Sequence, residues 1–141
     1  GEIIQWHQTK INAPKGNWTI NQLNEKGLLV AFKNRLSEDE NYHCYFVSQD
    51  SAKDLETLSE KSRIAINCDE YYNCALSKDD TNEFEKLIDK WSCTKEEGFK
   101  WLTRTHVVII PEKEIGSSIE SYSDSYFQSG GKSRVTRHLG R

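Results

Sequence analysis

Gln8 and Lys10, with Thr9 between them, close a short segment rich in strand-forming residues. An acid or amide, one intervening residue and a lysine at a strand end make the arrangement needed to cut a phosphodiester with a metal ion. The first side chain lies against the ion. The lysine, on the same face, polarises the attacking water or steadies the charge that develops on phosphorus. Gln-x-Lys is equally compatible with a plain edge strand whose lysine is a solubilising charge, so the elements around it decide how much it means.

Those elements begin with the strand itself. Ile3, Ile4 and Trp6 give residues 2–11 a β composition that Asn12 and Pro14 end. Period-two alternation places Ile4, Trp6, Gln8 and Lys10 on one face, and Ile3, Gln5, His7, Thr9 and Ile11 on the other. After a turn at 14–17, Leu23, Leu28, Leu29, Val30 and Phe32 predict a helix over 19–36, capped by Thr19 or Asn17, with Gly27 as the point where it kinks or divides. Tyr42 to Ser48 predicts a buried strand. Ser51 is a candidate cap for a helix to Arg63, followed by the apolar piece Ile64 to Ile66.

Ser77 and Asp80 form a capping-box pattern ahead of Phe84, Leu87, Ile88 and Trp91, which repeat at i, i+3, i+4 and i+7. A short helix over 96–104 and a β-branched strand over 107–110, stopped by Pro111, complete the ordered part. Residues 114–122 are a further helix candidate. This alternation of strands and helices predicts an α/β layer fold, a mixed sheet flanked by helices, over 1–122. A basic Gly/Ser/Arg tail follows over 123–141.

Composition narrows the function classes. The formal net charge is −3 and the mean hydropathy −0.78, so the chain as a whole is no electrostatic glove for nucleic acid. It contains neither a membrane-length apolar run nor a leader pattern. Cys44, Cys68, Cys74 and Cys93 are irregularly spaced, which reads as reduced thiols of a cytoplasmic protein. The alternative of a secreted disulfide-bonded domain predicts no titratable thiol. A zinc knuckle with His43 would want a Cys-x-x-Cys pair, but five residues separate Cys68 from Cys74. Past Asp124 the chain has no acid, and Lys132, Arg134, Arg137 and Arg141 crowd its last ten residues as candidate nucleic-acid contacts. The glycines near them do not match a phosphate loop, and the tail is also readable as a solvated terminus.

Several of these residues together carry a resemblance. The run Trp6, His7, Gln8, Thr9, Lys10, the turn Gly16, Asn17, Trp18, Thr19, the strand end Phe46, Val47, Ser48, and Leu55 with Leu58 are similar to the nuclease domain of bacterial antiviral defence effectors. These are the PD-(D/E)XK, restriction-endonuclease-like DNA endonucleases found beside cyclic-oligonucleotide synthases or fused to defence ATPases. The likeness spans roughly residues 6 to 60.

The resemblance implies a Mg²⁺-dependent endonuclease acting on double-stranded DNA, with Lys10 catalytic, Gln8 catalytic and metal-proximal, and Thr9 a spacer. By resemblance, a homodimer and further domains of the same protein are also implied as partners. Such nucleases resemble one another in carrying an acid on the strand before the lysine strand. Here the only acid ahead of Gln8 is Glu2, six residues earlier on the same strand and, at about 3.3 Å per residue, roughly 20 Å away. Asp50 and Asp69 are the remaining substitutes. The expectation is therefore a fragment that is inactive in isolation, with a non-catalytic nucleic-acid- or protein-binding module as the alternative. His7 is read as packed or exposed rather than catalytic, and His43 and His106 as general bases only if a nucleophile lay near, which no Ser, Cys or Asp spacing suggests. Trp18 is read as a hydrophobic staple over the helix start, and Trp91 and Trp101 as core.

Overall fold

The computed structural model of the chain describes residues 2–10 and 12–110. The basic tail with Lys132, Arg134, Arg137 and Arg141, and the helix candidate at 114–122, lie outside the described residues.

Three strands form one sheet in the order β1 (Ile4–Lys10), β2 (Tyr42–Ser48), β3 (Thr105–Ile109). Both pairings are parallel. The α/β class holds, but the three described strands make a parallel sheet where a mixed one was expected. The reason is connectivity: helices follow β1 and β2 and carry the chain back to the starting edge, which is what a parallel pairing requires. Gln8 lies beside Phe46 and Lys10 beside Ser48 in an unbroken register.

Between β1 and β2 run α1 (Ile20–Glu25) and α2 (Leu28–Glu38). The predicted long helix divides at Gly27, whose φ of +81° is the left-handed conformation that glycine tolerates. Thr19 opens α1 with a capping box shared with Gln22. Between β2 and β3 come α3 (Lys53–Ile64), a single turn α4 (Cys68–Glu70) continued as a π-helical turn (Tyr71–Ala75), then α5 (Lys78–Trp91) and α6 (Lys95–Thr103). The Ser77 capping box forms as its spacing predicts.

Trp6, Cys44 and Phe46 join side chains of α1, α2, α3, α5 and α6 in one apolar core. At its centre, Trp91 is fully buried and its indole N–H donates to the Leu29 carbonyl at 2.8 Å. Trp91 also meets Trp101 edge to face. Val47 and Ile110, with Tyr45 and Val108, form a second small cluster, on the opposite sheet face by alternation. Ile64 and Ile66, in contrast, are about four-fifths exposed (81% and 82%).

Arg104, which the sequence reading passed over, ties the layers together. Its guanidinium donates to the carbonyls of Leu36, Asp39 and Tyr42 at 3.0–3.1 Å, closing the C-terminal end of α2 and the turn into β2. Three charge-assisted bonds from one planar fork make this a costly residue to lose. Arg104→Ala is expected to destabilise the chain by about 2–4 kcal/mol in urea unfolding. Arg104→Lys should recover less than half of that, because one ammonium cannot span three carbonyls.

Candidate functional site

Parallel α/β sheets present their ligands at the carboxyl ends of the strands, and there β1 delivers Gln8, Thr9 and Lys10. Regular alternation keeps Gln8 and Lys10 on the face that Trp6 shares with the helices. Trp6 meets Phe32 of α2 edge to face, with centroids 5.7 Å apart. Gln8 is only 5% exposed, and its Oε1 is buried without a hydrogen-bond partner among the described residues. An acceptor left in that state costs roughly 1–3 kcal/mol.

The contacts of Trp18 show what the Gly16–Thr19 turn does. The Trp18 indole N–H donates to Ser48 Oγ at 3.1 Å, and the Asp50 amide donates to the same oxygen. Trp18 meets Phe46 edge to face, and its backbone amide donates to the Ser51 carbonyl at 2.8 Å. Where a staple over the helix start was expected, Trp18 joins the core and locks the end of β2.

Ser51 does not cap α3. The Asn17 side chain, 36 residues away in sequence, does so by accepting from the Lys53 amide at 3.0 Å and from Ser51 Oγ at 2.9 Å. Asn17→Ala is expected to cost about 1–2 kcal/mol, within the range of lost helix caps, and thermal unfolding of the two chains checks it.

Lys10 is half-buried and lines a cleft of about 380 Å³ with Asn12, Ala13, Pro14, Trp18 and Lys26. Neither substitute acid joins Gln8 there as a metal ligand set. Asp50 Oδ2 accepts from the Ala13 amide at 2.7 Å, which makes it a clamp on the loop. Asp69 follows α3, whose Arg63 donates to Thr105 O at the start of β3, the opposite edge of the sheet. Among the described residues no group of three or more His, Cys, Asp or Glu could hold a metal ion. Mg²⁺ takes about six oxygens in octahedral geometry, and Gln8 Oε1 is one. The described residues alone do not fit that ion.

The histidines gather on the other face. The parallel register aligns His7, Tyr45 and His106 in one row. The rings stack at 4.8 Å (His7 with Tyr45) and 4.4 Å (Tyr45 with His106). His43 Nδ1 lies 3.0 Å from His106 Nε2. Burial pushes the His7 imidazole down to about 4. For His106 burial, then the Arg63 guanidinium and the neighbouring imidazoles, do the same, again to about 4. Burial, Arg104 and Arg63 also lower His43.

These rings stack on one another and on Tyr45, and burial favours their neutral form. The parity that puts them on one face was readable from the sequence. The register that lines them up was not.

Cys44, Cys68, Cys74 and Cys93 are unbridged. No described helix is long and apolar enough to cross a membrane. In comparisons of this chain with protein-family models, curated proteins and solved structures, no significant match was found.

Proposed function

We propose that this chain is the lysine-strand part of a metal-dependent endonuclease acting on double-stranded DNA, of the restriction-endonuclease-like kind that bacterial anti-phage proteins carry. The observation that supports it is the buried carbonyl of Gln8, unpartnered among the described residues, two residues before Lys10 on the same strand face. A fold under selection for stability alone has no use for that atom. A site that offers it to an ion or to a water does.

In this reading Lys10 places its ammonium where negative charge grows on the phosphoryl group, and Gln8 presents an oxygen on the metal side. The remaining oxygen ligands have to come from residues other than those described, and the chain by itself is expected to be inactive.

Supercoiled plasmid with Mg²⁺, incubated with the longest natural protein containing this chain, tests the reading. Nicking or linearisation that disappears with Lys10→Ala supports it. Intact plasmid with every protein, together with salt-sensitive retention of the DNA, rejects it and makes the chain a non-catalytic nucleic-acid-binding module.

A further inference from the structure

The cleft beside Lys10 has a second cation that the Gln-x-Lys pattern does not include. Lys26 ends α1, with its amide bonded to the Gln22 carbonyl at 3.1 Å, and the left-handed Gly27 turns the chain immediately after it. The Lys26 side chain is exposed, and the residue lines the same 380 Å³ cleft as Lys10. No acidic residue is among the cleft-lining residues. Among the described residues, the ion pairs are Lys61 with Asp80 and Lys86 with Glu83, so neither cleft lysine is neutralised by a carboxylate.

The walls are held rather than loose. Asp50 fixes Ala13 at one side, and Ser48 and Ser51 fix Trp18 at the other. Two uncompensated ammonium groups in a pinned, open, polar-walled depression form a seat for a doubly negative or bridging anion of phosphate size.

We propose that Lys26 and Lys10 together bind a backbone phosphate of duplex DNA in this cleft, with Lys26 a phosphate-positioning residue outside the reacting centre. The inference rests on the nuclease reading only for the choice of DNA as the source of the phosphate. Lys10 takes the phosphate nearer the strand end, and Lys26 holds it from the α1 side. Trp18 lines the same cleft.

Two titrations of the ¹⁵N-labelled chain at low salt test it, one with inorganic phosphate and one with a 12-base-pair duplex, read at the Trp18 indole N–H. The expected result is a saturable shift with both. Lys26→Ala should weaken the duplex affinity about fivefold or more and lower the slope of log affinity against log salt by about one. Lys26→Arg should restore both, and Lys100→Ala, on exposed α6 surface, should change neither.

The proposal is overturned by no saturable shift at Trp18 with either ligand. It is equally overturned by a duplex affinity and salt slope that Lys26→Ala leaves unchanged, even where inorganic phosphate binds. Cleavage enters none of these readouts. A chain that seats the duplex through Lys26 without any natural context that cuts it would sink the nuclease reading alone, and a failed titration would sink this one alone.

Discussion

Gln8→Leu is expected to unfold at higher urea than the wild-type chain, by about 1 kcal/mol, while lowering plasmid cleavage by the longest natural protein at least about a hundredfold. The two effects have opposite signs for one reason. Gln8 is 95% buried by its 5% exposure and lies beside Phe46 in the register, so a leucine of similar volume replaces an unpartnered carbonyl with apolar contact. Removing an unsatisfied buried acceptor is one of the few core changes that costs nothing.

Lys10→Ala gives the matching control. Its side chain forms no hydrogen bond or ion pair among the described residues, so stability should stay within about 0.5 kcal/mol, the usual range for a surface change. Loss of a positioned cation at a developing phosphorane charge removes about two to four orders of magnitude in rate. A Gln8→Leu chain that unfolds earlier than wild type would show that the amide is structural, and the functional argument from its orphan oxygen would fall with it.

What could be read from the sequence divides by distance along the chain. The capping box at Ser77, the apolar period of α5, the break at Gly27 and the bounds of β2 all depend on residues within about four positions of one another. Each was legible because helix caps and periodicity are local. The parallel sheet, Asn17 capping α3, Arg104 closing α2 and the His7–Tyr45–His106 row each join residues from about 34 to more than 60 positions apart, which no window of sequence contains.

The candidate site splits the same way. Gln8 and Lys10 share a strand face by alternation alone, whereas Lys26, sixteen residues after Lys10, comes to line the Lys10 cleft only in the folded chain. The Gly16–Thr19 turn looked like a signature of chemistry and is, in the structure, a clamp. Asn17 and Trp18 spend their polar groups on α3 and β2. A motif can therefore travel with a catalytic strand because it positions that strand.

His7→Phe should make the chain less sensitive to acid without changing it much near neutrality. The folded imidazole titrates at about 4, well below the usual value of about 6.5. Between those two values the unfolded chain binds a proton that the folded chain refuses. Native stability is therefore full above about pH 6.5, falls as pH drops through the window, and levels off near pH 4.

For His7 the whole window is worth on the order of 3 kcal/mol, and about 2 kcal/mol of it is gone by pH 5. His106, held at about 4 by burial and by Arg63, adds a loss of the same sign in the same window. Phenylalanine keeps a ring to stack on Tyr45 and cannot be protonated. At pH 7 the variant should lie within about 1 kcal/mol of wild type. At pH 5 it should have overtaken it by an amount close to the His7 share, because carboxylate titration affects both chains alike and cancels in the difference. Urea unfolding of the two chains at pH 7 and pH 5 measures this. Parallel curves would mean that the His7 ring is protonated as readily folded as unfolded, and that burial in the stacked row does not hold it neutral.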